Sequence, residues 1–210
     1  MLRKACSAAW MEAHVPVEAR TLRDIAVSGN GEPTSSRQLA EVFDVIERVL
    51  VRHGQSGRMK RVLITNGSLA HAEHVHAALE RLNAQGGEVW FKLDAASDAG
   101  IARINSSSAG SARACANLIA TAGRCRTWVQ TLAFDFEGAT LRGAEETAYC
   151  TLLEEVRSCG VRLEGVRLYG LARKSHQPEG VQLRALAEAE LEALGKRIAA
   201  ATGLEVQVSA

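Results

Sequence analysis

Short apolar runs alternate along the chain with longer stretches whose apolar residues recur at helical spacing. The run 23–28, Arg-Asp-Ile-Ala-Val-Ser, ends in Gly29-Asn30-Gly31 and predicts a first strand. From Ser35 to Arg52, the residues Leu39, Val42, Phe43, Ile46, Val49 and Leu50 form one stripe, which predicts an amphipathic helix. Ser35 with Gln38 has the form of a capping box, and Gly54 supplies a stop. Arg61 to Thr65 predicts a second strand closed by Asn66-Gly67, with Ser68 as cap of a helix through Val75, Ala78, Leu79 and Leu82. Further strands are predicted over 88–94, 127–134 and 165–172, with helices over about 111–122, 143–158 and 182–200 and a last strand over 205–208. Trp90 and Trp128 fall inside strands and are expected to pack between sheet and helices.

Each predicted strand is separated from the next by one helix and its loops, which is the βαβ unit repeated. Repeated right-handed crossovers build either an open doubly wound sheet or a (β/α) barrel, and periodicity does not choose between them. Composition adds limits. Of 210 residues, 47% are hydrophobic and 23% charged, enough to bury a sizeable core in one domain. Lys plus Arg number 25 against 24 for Asp plus Glu, so nucleic acid is not indicated as a partner. No apolar run reaches the roughly 20 residues of a membrane span, and the mix of charge and alanine in the first residues gives no expectation of a secretory signal. The five cysteines form no close-spaced set, which reads as reduced thiols of a cytoplasmic protein.

Parallel α/β folds place their chemistry at the C-terminal ends of strands. Here those ends carry Gly29-Asn30-Gly31-Glu32-Pro33-Thr34, then Thr65-Asn66-Gly67, Lys92 and Asp94, Gln130 and Thr131, and finally Arg173. Each alone is ordinary turn chemistry; five in succession point to a site. The glycines of the first stretch let backbone approach a ligand, and Glu32 can receive an ammonium group. A carboxylate there would repel a phosphate, so the segment suits an amino group better.

The segment Ser28-Gly29-Asn30-Gly31-Glu32-Pro33-Thr34 resembles the Gly-Gly-Glu-type motif of radical S-adenosylmethionine (radical SAM) enzymes in its Gly-x-Gly-Glu-Pro form. Later strand ends, Ile64 to Gly67, Trp90 to Asp94, Val129 to Thr131 and Leu168 to Arg173, resemble the family in placement. The resemblance implies an α/β fold, a parallel (βα)6-type partial TIM barrel lacking its first βα unit. Residues 1–22 would be a leading helix remnant, 23–173 the matched core, and 174–210 a C-terminal loop, helix and strand of the same domain. It implies SAM as cofactor, with Asn30, Gly31 and Glu32 at its methionine end. Asn66 and Asp94 would touch ribose or substrate, Gln130 would line the cavity, and Arg173 would pair with a carboxylate. For a complete protein it implies a [4Fe–4S] cluster, a reducing partner, and SAM cleavage to a 5′-deoxyadenosyl radical that acts on an unidentified substrate.

The family's cluster is held by a Cys-x3-Cys-x2-Cys loop after the first strand, because one short loop lets three thiolates reach one cluster. Only Cys6 precedes Gly29 here, and the other four cysteines are far apart in sequence. An N-terminally incomplete chain or a degenerate paralogue is the expectation, with no metal ligands of its own. Two other classes stay open: a cluster-free SAM-binding or interaction module, and an ordinary (β/α)-barrel lyase or aldolase. In the latter, Glu32, Lys92 and Asp94 would do acid–base or Schiff-base work. The run His71-Ala72-Glu73-His74-Val75-His76 reads as a solvated helix face, since His76 points away from the other two. Cys115, Cys125, Cys150 and Cys159 read as small buried or half-buried side chains.

Overall fold

In a computed structural model, residues 2–29, 31–136, 141–171, 180 and 182–209 are described. Two short helices, α1 (Leu2–Ala5) and α2 (Ala8–His14), lead into strand β1 (Asp24–Val27). There follow α3 (Leu39–Arg52), β2 (Lys60–Thr65), α4 (Glu73–Ala84), β3 (Glu88–Lys92), α5 (Asp98–Asn105) and α6 (Gly110–Ala122). The second half holds β4 (Thr127–Leu132), β5 (Phe134–Phe136), α7 (Ala144–Ser158), β6 (Leu163–Tyr169), β7 (Leu183–Ala185), α8 (Glu188–Thr202) and β8 (Val206–Ser209). No described helix is long and apolar enough to cross a membrane.

Six strands form one parallel sheet in the order β1-β2-β3-β4-β6-β8, so spatial order follows chain order. A doubly wound sheet reverses direction at a switch point; this one does not. Right-handed crossovers that keep moving one way stack their helices on one face. Accordingly α3 packs on α4, α5 on α6, α6 on α7, and α7 on α8. No closed barrel forms, because β1 and β8 end the sheet without meeting.

The alternation of strand residues divides the sheet cleanly. Val89, Phe91, Val129, Val166 and Leu168 join Phe43, Leu79, Leu118, Leu153 and Ile198 in a core between sheet and helices. The opposite face carries Trp90, Lys92, Trp128, Gln130, Arg167 and Tyr169 in adjoining register. The expectation that the tryptophans lie between sheet and helices is therefore corrected. Alternation with the core-facing Val89, Phe91 and Val129 places them on the other side, where the Arg167 guanidinium stacks 4.2 Å from the Trp90 ring and 4.9 Å from that of Trp128.

Other differences have local causes. Ser35 does not cap α3: its hydroxyl donates to the Glu32 carbonyl at 2.8 Å within a 3-10 turn over Pro33–Ser35, and the helix starts later. Ser68 does not cap α4, because its amide is held by Asn66 Oδ1 at 2.9 Å and turns intervene before Glu73. The predicted strand 127–134 is two pieces, the second of which, β5, pairs antiparallel with β7. That pairing takes the start of the predicted 182–200 helix. The C-terminal run becomes the sixth strand, parallel to β6.

Candidate functional site

The site is built around Glu32. One carboxylate oxygen, Oε1, accepts from the Thr34 amide at 3.1 Å, the Thr34 hydroxyl at 2.7 Å and the Thr65 hydroxyl at 2.5 Å. The other, Oε2, accepts from the Asn66 amide at 2.8 Å. The two threonines are buried and Glu32 is half-buried. Glu32 thus clasps the loop after β1 to the end of β2, with one acceptor position left on Oε2. Asn66 spends its carbonyl on the Ser68 amide, which leaves its amide hydrogens for other partners. Gly67 is held at φ +68°, and a methyl group there would collide with the Phe91 ring, so the turn beside Asn66 needs glycine.

A groove of about 480 Å³ opens along these strand ends. Gly31, Glu32 and Asn66 line it from the β1–β2 side, and Lys92, Gln130 and Tyr169 from the β3–β4–β6 side. Of the residues expected at the site, the structure therefore brings together Gly31, Glu32, Asn66 and Gln130. Asn30 and Arg173 lie outside the described residues. Asp94 opens onto a different cavity of about 260 Å³, with Ala95, Arg103, Leu132, Phe134 and Glu145. Its Oδ1 accepts from the Leu132 amide at 2.9 Å. Burial pushes the Asp94 carboxyl above the usual range, against the opposing pull of that amide and of Lys92. Burial also pushes the Tyr169 phenol up to about 12, helped by Asp94, so it stays protonated.

Sequence reasoning missed the threonines that hold Glu32. A hydroxyl residue two positions after a carboxylate, and another at the last position of a buried strand, were the available signals. It also missed Glu145, whose Oε1 accepts from the Ala96 amide at 2.6 Å and the Ser97 amide at 3.0 Å, and whose Oε2 takes the Ser97 hydroxyl. A carboxylate at the start of α7 thereby caps the start of α5.

The histidines do not form one solvated helix face, because α4 begins only at Glu73. His74 Nε2 lies 2.8 Å from the Thr34 carbonyl, behind the Glu32 clasp, and His76 Nε2 lies 2.8 Å from the Ala70 carbonyl. His71 Nδ1 is 3.3 Å from Arg113. Among the described residues, no group of three or more His, Cys, Asp or Glu is placed to hold a metal ion. Cys6, Cys115, Cys125 and Cys150 are buried on separate elements, while Cys159, against expectation, is exposed beyond the end of α7. Burial pushes the Cys115 thiol up to about 11 and that of Cys125 to about 12.

Compared with models of known protein families the chain matches none, and no curated protein matches it.

Proposed function

We propose that the chain is a SAM-binding module of radical SAM architecture, a partial barrel whose groove receives SAM across the strand ends. The observation that carries this reading is the groove itself. The turn after β1 and the ends of β2 and β4 meet there in a parallel sheet whose strand order never reverses. Its volume of about 480 Å³ suits a small-molecule ligand. In this reading the ammonium of SAM docks on the Gly29–Glu32 turn and takes the remaining acceptor position of Glu32. Asn66 offers its amide to a hydroxyl, and Gln130 lines the cavity.

The residues present do not fit a [4Fe–4S] cluster. A cluster needs three thiolates on one iron-facing surface, and the buried thiols here sit on α6, α7, the α1–α2 turn and the approach to β4. Cys115 and Cys125 are also held in the thiol form. No radical step is assigned to this chain.

Equilibrium dialysis with SAM tests the reading. Saturable binding is expected, weakened at least tenfold in Glu32→Gln, because the amide removes the charge that meets the ammonium. Absence of binding by the unmodified protein would overturn the reading, and an unchanged affinity in the variant would remove Glu32 from it. Borohydride trapping of a carbonyl compound on Lys92 would favour the lyase class instead.

A further inference from the structure

The two sides of the groove differ in chemistry. On the β1–β2 side stands the acid, Glu32, which accepts four hydrogen bonds and keeps one acceptor position on Oε2. On the other side Lys92 and Gln130 stand opposite each other on β3 and β4, and Tyr169 lies one step higher on β6. Among the described residues, none of these three side chains has a hydrogen-bond or ion-pair partner. The side-chain oxygen of Gln130 is buried and unpaired, an acceptor open to the hydroxyl of a hydrogen phosphate, while its amide nitrogen has hydrogens to donate. Together they supply an ammonium, an amide and a phenol, all donors.

The surrounding charges point the same way. Asp94 turns into the separate cavity beside the groove, and burial raises its pKa. In register with Gln130, Arg167 adds a second cation on the same face, its guanidinium stacked on Trp90 and Trp128. The Glu88 carboxylate is 3.8 Å from both Arg167 and Lys60, and one of its oxygens also accepts from Trp90 Nε1 at 2.9 Å. One carboxylate therefore answers two cations there, and among the described residues Lys92 forms no direct ion pair.

We propose that Lys92, Gln130 and Tyr169 form an anion-binding subsite that takes the carboxylate or phosphoryl group of a small substrate. The subsite rests on the donors of the groove wall and not on the SAM reading, so each can fail without the other.

Trp90 and Trp128 lie one inward-facing row below Lys92 and Gln130, so tryptophan emission reports on occupancy. The full chain is titrated with inorganic phosphate and, separately, with acetate, against potassium chloride at equal ionic strength. A saturable change with either anion, absent with chloride, is expected, and the anion that saturates at lower concentration identifies the group. Lys92→Gln should raise the half-saturating concentration at least tenfold and Tyr169→Phe about fivefold, while Lys92→Arg keeps it within about threefold of the parent. No saturable change in the parent protein overturns the subsite. So does an unchanged half-saturation in a folded Lys92→Gln variant.

Discussion

Glu32 is the residue on which the strand ends converge. Two backbone amides and two hydroxyls donate to it from Thr34, Thr65 and Asn66, so removing the carboxylate strands the donors of two buried threonines together. Glu32→Ala is expected to cost about 2–3 kcal/mol, read as a lower urea midpoint with an unchanged slope. Thr65→Val removes one donor to Glu32 and strands the buried Gly67 amide that the hydroxyl accepts from at 3.0 Å, and should cost about 2 kcal/mol. Asp94 behaves oppositely to a clasped carboxylate. Its pKa is raised by burial, so the native state holds the proton more tightly than the unfolded chain. Between the unfolded value near 4 and the higher native value, stability falls as pH rises. Asp94→Asn removes that loss while keeping the acceptor for the Leu132 amide. The variant should therefore gain stability over the parent at pH 7 and match it more closely at pH 3.5, by urea denaturation at both.

At the scale of elements, the passage of β4, β6 and β8 depends on a residue without a side chain. Gly165, on β6 at φ +154°, faces Trp128 on one neighbour and the Glu205 carbonyl before the other. A methyl group there would overlap both, and the ladder already shifts register between Thr127 and Trp128. Gly165→Ala is expected to cost about 2–4 kcal/mol and to alter near-UV dichroism through Trp128. The same elements show what a sequence can and cannot reveal. Strands such as 60–65 and 88–92 were legible because three consecutive apolar residues stand between polar ones, with turn residues beyond. The long helices were legible from their 3.6-residue stripe. Helix starts at α3 and α4 were not, because Ser35 and Asn66 bond to neighbouring backbone and hold the chain in turns first. The pairing of β5 with β7 was hidden for a different reason: three-residue strands carry too little pattern to be seen. Placement at strand ends was enough to find Gly31, Glu32, Asn66 and Gln130. It could not show that Asp94 turns into a separate cavity, which depends on the Leu132 amide of the next strand.

For the molecule as a whole, the sheet has a protected middle and two open sides. β3 and β4 are flanked by strands on both sides and backed by the core, whereas β1 pairs with β2 alone and alternates exposed with half-buried residues. Amide hydrogen exchange should therefore be slowest in Val89, Phe91 and Val129 and several orders of magnitude faster in Ile25 and Val27. Equal protection across the sheet would show that something further covers β1.

The agreement of spatial order with chain order has a consequence for how the protein is made. Each new strand of the sheet finds its partner in the strand laid down just before it, so no ladder waits for a distant piece of chain. Loop-closure entropy is met in small steps, and the sheet can grow during synthesis one βα unit at a time. The Glu32 clasp closes as soon as Thr65 and Asn66 leave the ribosome, well before β4 exists. The groove's first wall is thus finished while its second is still being translated.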